Sequence, residues 1–144
     1  MMTPTKIIIH HSDTRDDKFL SWGAIRYHHV IELGWHDIGY HAGVELVQSG
    51  DHLNYEILIG RMWDVDGAHT IGQNTSSLGI CFVGDYDEFP PPDDIIISGA
   101  KLIKLWMKLF NISINQIYAH RDFNNTDCPG KKFDINVLKG WLTR

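Results

Sequence analysis

Near its C-terminal end, the chain carries a histidine and a cysteine in one short polar segment, HRDFNNTDCPG, residues 120–130. Imidazole nitrogen and thiolate sulfur both bind zinc, at about 2.0–2.1 Å and about 2.3 Å, and a catalytic zinc site usually has three protein ligands and one open position. The spacing of His120 and Cys128 allows a loop to bring both side chains to one ion. The same residues can instead belong to a disulfide or simply close a loop, so three interpretations are open.

A metal site would need a third ligand from another part of the chain. The β-branched run from Lys6 to His10 is typical of a buried strand, and it ends at two adjacent histidines, His10 and His11. If that strand lies beside the short strand predicted at 116–119, one of these histidines can reach His120. A single histidine or cysteine is more often structural than a ligand, so the residues alone leave a His-His-Cys site and a structural role equally open.

The chain contains only two cysteines, Cys81 and Cys128, which could form one disulfide. The N-terminal sequence MMTPTKIIIHHSD lacks the longer apolar stretch of a signal peptide, and no segment approaches the roughly 20 apolar residues that span a bilayer. We therefore expect synthesis in the cytosol and reduced cysteines.

Length and composition predict one ordinary globular domain. The chain has 144 residues, of which 43% are hydrophobic and 22% are charged, and one domain typically has about 100–200 residues. Its formal net charge of -5 argues against non-specific binding to nucleic acid or to an anionic membrane, because both need clustered Lys and Arg.

Four strands are predicted in addition to the N-terminal one. The segments 44–48 and 54–60 flank the turn-forming sequence SGDH and predict a hairpin. The continuous apolar sequence LGICFV, residues 78–83, predicts a central strand. The strand at 116–119 follows a turn at 111–115.

Three helices complete the predicted fold. Ser21 is a candidate cap for a helix with Ile25, His29 and Leu33 on one face and a stop at Gly34. The clearest amphipathic helix comes after the three consecutive prolines, and we place the last of them, Pro92, in its first turn. Its core-facing residues recur at steps of three and four: Ile95, Gly99, Leu102, Ile103, Trp106, Leu109 and Phe110. A last helix spans 134–142, with Ile135, Leu138 and Trp141 inward. Interleaved strands and helices predict an α/β domain with a central mixed β-sheet flanked by helices.

Five motifs occur in an order and spacing that resemble a known family. IIIHHS, GWHDIGYHAG, GAHT, NTSSLGICFVG and AHRDFNNTDCPG are similar to motifs of the zinc-dependent N-acetylmuramoyl-L-alanine amidases, the type 2 amidases shared by phage lysozyme-like endolysins and peptidoglycan recognition proteins. The resemblance runs from about Ile7 to Trp141. It implies the family's single catalytic domain over residues 1–144.

The resemblance also implies a zinc-ligand set. His10, His120 and Cys128 match the family's three ligands. His11 then points to the other face of its strand, because side chains alternate along a strand. Asp122 can either orient a ligand or anchor the loop.

Two further residues match catalytic positions. Tyr40 corresponds to a tyrosine beside the metal whose hydroxyl can bond the substrate carbonyl, and Thr126 corresponds to a position that is lysine in some members and threonine in others. Some relatives carry a glutamate where this chain has Cys81, which leaves the general base unassigned here and makes a buried thiol the favoured interpretation of Cys81.

His69, Thr70 and Asn74 match a region that lines the family's substrate groove, although a capped turn before the central strand would use the same residues. Trp35 and Trp63 could stack on sugar or peptide, but tryptophan is usually a core residue, so neither is assigned to the site. We interpret His29 and His41 as packing residues near the site.

The resemblance implies hydrolysis of the amide between N-acetylmuramic acid and L-alanine in peptidoglycan, by a monomeric, bacteriolytic phage endolysin made in the host cytosol. One alternative is a non-catalytic peptidoglycan-binding protein, in which the cysteine position is commonly replaced, whereas Cys128 and Tyr40 are both present here. Others are a cytosolic amidase that recycles muropeptides and a protein with purely structural zinc, although structural sites typically have four protein ligands.

Overall fold

The fold is built on one five-stranded sheet with the order β3-β2-β4-β1-β5. A computed structural model describes residues 1–12 and 21–144. The strands are β1 (Lys6–His11), β2 (Ala42–Ser49), β3 (His52–Ile59), β4 (Ser77–Phe82) and β5 (Ile117–Ala119). β1 pairs in parallel with β4 and β5, and β2 pairs in parallel with β4 but antiparallel with β3. The predicted mixed sheet, its hairpin and its central apolar strand are therefore confirmed.

The two faces of the sheet carry different layers. On one face, the main core joins alternate strand residues such as Ile7, Ile9 and Ile80 to the helices α2 (Asp93–Phe110) and α3 (Ile135–Leu142). On the other face, Cys81 packs in a smaller cluster with Trp22, which belongs to α1 (Trp22–Tyr27). His10 lies on this second face because it alternates with Ile9.

Capping residues define the helix ends. The Ser21 hydroxyl accepts a hydrogen bond from the Ala24 amide at 3.1 Å, which confirms the predicted cap of α1. The Asp134 carboxylate caps α3 by accepting from the Asn136 amide at 2.8 Å. Pro92 is the residue immediately before α2 rather than part of its first turn, so the helix begins later than predicted, at Asp93.

Two residues that were predicted to face the core, Leu33 and Leu109, are exposed instead. Leu33 is 47% exposed, because α1 continues as a π-helical turn at His28–Glu32 whose wider hydrogen-bond spacing rotates the following residues away from the predicted face. Leu109 is 57% exposed although Leu102 and Trp106 on α2 are buried. It lies at the margin of the buried face of α2, beside the exposed Leu105, whereas Phe110 in the same turn packs against the core.

The last helix places its apolar side on the core as predicted, with Leu138 fully buried and Ile135 and Trp141 packed against the core cluster. Among the residues that the structure describes, no helix combines the length and apolar character needed to cross a bilayer.

Close packing of α2 on the sheet generates a stability prediction. A methyl group at Gly99 would overlap the ring of Phe82, which is fully buried. We expect Gly99→Ala to destabilise the protein by about 1–3 kcal/mol, as overpacked cores do, measured by urea unfolding. Gly140→Ala in α3 is the matched control, because nothing lies within 4 Å of the added methyl and alanine favours helix by up to about 1 kcal/mol. Equal effects of the two substitutions would contradict the packing argument.

Candidate metal centre and cleft

Parallel strand pairing brings two histidines together. Ile9 of β1 is in register with Ala119 of β5. His10 is the next residue of β1, and His120 is the first residue after β5. Both strands run in the same direction, so both histidines lie at one edge of the sheet. Their ring centroids are 4.6 Å apart. His11, by contrast, lies on the opposite face, where its Nδ1 accepts a hydrogen bond from the Tyr86 amide at 3.2 Å.

The cysteine reaches this edge on a loop that an arginine holds in place. The Arg121 amide donates to the Cys128 carbonyl at 2.9 Å, and its guanidinium donates to the carbonyls of Gly130 at 2.8 Å and Phe133 at 2.9 Å. The Asp122 carboxylate accepts from the Ala119 amide at 2.9 Å. Asp122 therefore anchors the start of the loop, which was one of its two predicted roles.

The three side chains form a compact donor set. One ring nitrogen from each of His10 and His120 and the sulfur of Cys128 all lie within 4.8 Å of one another. Nδ1 of His10 is 3.7 Å from the Cys128 sulfur, close to the roughly 3.6 Å that separates nitrogen and sulfur ligands around tetrahedral zinc. In the part of the chain that the structure describes, no other group of three His, Cys, Asp or Glu residues is this compact.

The second nitrogen of each histidine has a protein partner. Nε2 of His120 is 2.9 Å from Oδ1 of Asn124. Nε2 of His10 is 2.9 Å from Nδ1 of His69 and 3.2 Å from Oγ1 of Thr70. Metal-binding histidines typically hydrogen-bond a protein group through the ring nitrogen that does not bind the metal. Because Nε2 is engaged in both rings, Nδ1 is the atom that each histidine can offer to a metal ion. The donor set thus fits a zinc ion.

Burial keeps these imidazoles neutral near pH 7. It lowers the pKa of His10 well below its usual 6.5, with further lowering from the nearby His69 and His120. Burial also lowers the pKa of His120, although its hydrogen bond to Asn124 acts in the opposite direction. The pKa of His69 is lowered to about 3, mainly by burial. A neutral ring is the form that binds a metal ion.

Tyr40 lies next to the donor set, with its ring centroid 5.1 Å from that of His10. Burial raises its pKa well above 10, with further contributions from the nearby Cys81 and Cys128. Its hydroxyl therefore remains a proton donor at neutral pH.

Cys81 is fully buried, is a free thiol and is the β4 residue in register with His10, which confirms its interpretation as a buried strand thiol.

An open cleft of about 520 Å³ lies in front of the donor set. Its walls come from three separate parts of the chain, and the lining residues include Trp35, Tyr40, His69, Thr70, His120 and Thr126. None of the described residues that line it is Lys, Arg, Asp or Glu. The cleft is therefore suited to an uncharged ligand, with aromatic, amide and hydroxyl groups on its walls.

Comparison with known proteins identifies the family. Residues 1–131 match the N-acetylmuramoyl-L-alanine amidase family. The chain belongs to this family. Peptidoglycan-recognition protein SC1a from Drosophila melanogaster is 32% identical over 140 residues, which cover 93% of this chain and 71% of the relative.

Two solved structures illustrate the breadth of the amidase family. The endolysin N-acetylmuramoyl-L-alanine amidase LysCS from Clostridium intestinale superposes with a TM-score of 0.81 at 26% identity, covering 99% of this chain and 85% of that one. A mutant of Drosophila PGRP-LB, solved in complex with tracheal cytotoxin, gives a TM-score of 0.75 at 28% identity, covering 95% and 81%. The predicted family and fold are therefore confirmed.

The other residues of this chain that were predicted to contact substrate lie on the cleft. His69, Thr70, Asn74 and Thr126 all line it. Much of their polar capacity is used within the protein: Oδ1 of Asn74 accepts from the His69 and Thr70 amides at 2.8 and 2.9 Å, and Oγ1 of Thr126 accepts from the Cys128 amide at 3.2 Å. The Thr126 hydroxyl keeps its proton for donation to a ligand.

Sequence reasoning missed two residues of the site. Trp35 lines the cleft rather than the core, whereas Trp63 packs against the core as expected. Asn124 links His120 to the chain at Ile71, accepting from the Ile71 amide at 3.2 Å and donating to its carbonyl at 3.2 Å. Its position four residues after His120 was the available signal, because that spacing allows a side chain to return to the histidine.

His29 and His41 were interpreted as packing residues near the site, and both make hydrogen bonds there. Nδ1 of His29 accepts from the Gly39 amide at 3.0 Å, and Nδ1 of His41 accepts from the Gly79 amide at 3.0 Å. Burial lowers the pKa of His29 to about 4 and also lowers that of His41.

These histidines predict acid lability. Between about pH 4 and 6.5 the unfolded chain binds protons that folded His29 does not, so acid favours unfolding. We expect the urea midpoint of the chelator-treated protein to fall between pH 7 and 5, and His29→Gln to reduce that fall. Asn54→Gln, at an exposed position of the hairpin, changes no titratable group and should leave the pH dependence as in the wild type. A His29→Gln protein with the full wild-type dependence would contradict the prediction.

Proposed function

We propose that residues 1–144 form a zinc-dependent N-acetylmuramoyl-L-alanine amidase that hydrolyses the amide between N-acetylmuramic acid and L-alanine in peptidoglycan. The observation that carries this proposal is the compact set of His10, His120 and Cys128 beside a neutral cleft that His120 lines. Three protein ligands leave one position of a tetrahedral zinc ion open, as in catalytic sites. Family membership supports the reaction type.

Zinc, when bound, would supply Lewis acidity toward the amide carbonyl and toward water. His10 and His120 would hold it through Nδ1, because their Nε2 atoms are engaged by His69 and Asn124. Cys128 would supply thiolate sulfur. The amide of His11 donates to that sulfur at 3.4 Å, and a hydrogen bond of this kind stabilises the charged thiolate over the thiol.

Tyr40 and Thr126 are the proposed groups for handling charge at the substrate oxygen. Both line the cleft, and both carry a hydroxyl proton at neutral pH. A donor that is already oriented toward a developing oxyanion stabilises it without further reorganisation. Neither hydroxyl can act as a cation, and Tyr40 is the candidate for the stronger effect because its ring centroid lies 5.1 Å from that of His10.

The walls of the cleft fit the uncharged part of the substrate. The scissile amide and the neighbouring sugar carry hydroxyl, amide and carbonyl groups but no formal charge, and the described lining residues are likewise neutral. Trp35 offers an aromatic face for stacking, and His69, Thr70 and Asn74 form the adjoining wall. The proposed ligand is therefore the muramoyl-L-alanine junction, in polymeric peptidoglycan or in a soluble muropeptide.

A catalytic role is preferred over recognition alone because both Cys128 and Tyr40 are present. The similarity to the endolysin amidase LysCS supports an endolysin role, and we further propose that the enzyme is bacteriolytic and monomeric, as the family resemblance implies. The similarity to PGRP-LB, solved with tracheal cytotoxin, supports recognition of wall fragments as the second candidate function. The two candidates differ in whether new amino termini are produced.

The deciding measurement is the release of L-alanine amino termini from purified peptidoglycan by the native protein, by the chelated protein and after zinc is restored. We expect release that chelation abolishes and zinc restores. Zinc content should be measured in the same samples by atomic emission. Stoichiometric zinc and binding to the wall without any release would support the recognition function instead.

Cys128→Ser is the matched control for the metal requirement. It preserves shape but replaces a soft thiolate with a hydroxyl, a poor zinc ligand. Its zinc content and its rate of release should fall together. Full activity with unchanged zinc would remove Cys128 from the proposed ligand set.

Tyr40→Phe tests the proposed hydroxyl donor. The substitution should lower kcat roughly 100-fold, the scale of losing one oxyanion donor, while zinc content stays stoichiometric. Tyr27→Phe is the control, because Tyr27 is 59% exposed on α1 and should retain the wild-type rate. An unchanged kcat in Tyr40→Phe would contradict the role.

A further inference from the structure

A second histidine, His69, is packed edge-on against His10. The two ring centroids are 4.9 Å apart with an interplanar angle of 87°, and Nδ1 of His69 is 2.9 Å from Nε2 of His10. Oγ1 of Thr70 lies 3.2 Å from the same His10 nitrogen and 3.0 Å from Nδ1 of His69. One ring nitrogen of His10 is therefore enclosed by two neighbouring side chains.

The other nitrogen of His69 determines which way the proton in this contact is donated. Nε2 of His69 is 3.4 Å from the Ser77 carbonyl and 3.5 Å from the Ser77 hydroxyl. The carbonyl can only accept, and the hydroxyl donates its own proton to the Gln73 carbonyl at 2.7 Å. Nε2 of His69 must therefore carry the proton, which leaves Nδ1 of this neutral ring as an acceptor.

The tautomer of His10 follows from that acceptor. Nε2 of His10 donates to Nδ1 of His69, so Nδ1 of His10 is unprotonated and presents its lone pair. That atom is the one 3.7 Å from the Cys128 sulfur. The opposite tautomer would place a proton between His10 and the cysteine, where a metal ion would have to bind.

Two glycines hold the His69 ring in position. A methyl group at Gly79 would lie 2.6 Å from Cγ and 2.7 Å from Nδ1 of the ring, and one at Gly67 would lie 2.9 Å from Nε2. The ring thus occupies a slot in which a larger residue on β4 or in the preceding loop would displace it. Asn74 fixes the backbone of this loop through the His69 and Thr70 amides.

We propose that His69 is a positioning residue that fixes His10 in the tautomer whose Nδ1 faces the metal. This inference rests on the proposed zinc function, and it assigns to His69 a role beyond that of a cleft wall. A partner that orients a ligand in this way typically changes metal affinity by about 10–100-fold when it is lost.

Two amide substitutions at position 69 separate this role from general packing. In His69→Asn, the amide branches at Cγ, so its oxygen can occupy the place of Nδ1 and accept from His10. In His69→Gln, the amide is one bond farther out, near the place of Nε2, where it can bond Ser77 but not His10. Both variants keep a polar side chain, and His69→Ala removes both nitrogens.

The readout is the apparent zinc Kd, measured without substrate by competition with a chromophoric chelator, with folding checked by circular dichroism. We expect His69→Ala and His69→Gln to bind zinc about 10–100-fold more weakly than the wild type, and His69→Asn to recover most of the affinity. If His69→Ala does not fold, the comparison of Asn with Gln remains decisive.

The outcomes distinguish this inference from the proposed function. Equal zinc affinity in the Asn and Gln variants, or wild-type affinity in the Ala variant, would overturn the positioning role while the amidase proposal stands. A wild-type protein that binds no zinc would overturn the zinc proposal, and the inference with it.

Discussion

Parallel hydrogen bonding of β1 to both β4 and β5 is the constraint on which the site depends. The pairing sets Cys81 beside His10 on one side, and brings His120 beside His10 on the other. A shift of one residue in either register would turn the side chains of β1 to the opposite faces. The register is fixed because three isoleucines, Ile7, Ile8 and Ile9, are completely buried on the two sides of the sheet.

Most of the polar groups near the donor set support it rather than face the cleft freely. The loop formed by residues 67–76 supports both histidines. His69 and Thr70 contact His10 directly, and Ile71 is hydrogen-bonded to Asn124, the partner of His120. A buried polar network of this kind is stable only when its members are satisfied. The loop therefore joins the wall of the cleft to the geometry of the candidate ligands.

Much of the fold could be predicted from local patterns. The apolar run of β4 and the periodicity of α2 gave the correct elements, because strands and helices impose their own spacing on buried residues. The exposure of Leu33 could not be predicted, since it follows from a π-helical turn that periodicity does not encode. The exposure of Leu109 could not be predicted because this residue lies at the margin of the apolar face of α2, where helical spacing does not decide burial.

Some parts of the candidate site could likewise be predicted from the sequence, and others could not. Residues alone left a His-His-Cys site undecided, because no spacing along the chain reveals that β1 and β5 are neighbours. Motif order supplied His10, His120 and Cys128 through family resemblance. The link from Asn124 to Ile71 and the slot around His69 could not be predicted, because both depend on contacts between different segments of the chain.

The closeness of His10 and Cys128 has a consequence for how the protein is made. These residues are separated by 118 positions, yet their side chains are 3.7 Å apart, and the centre also needs the short strand β5. Contacts between such distant residues form late, because closing a long loop costs conformational entropy. During synthesis the N-terminal histidine emerges long before its partners. The donor set is therefore complete only in a chain that has been translated past residue 128 and has folded almost from end to end.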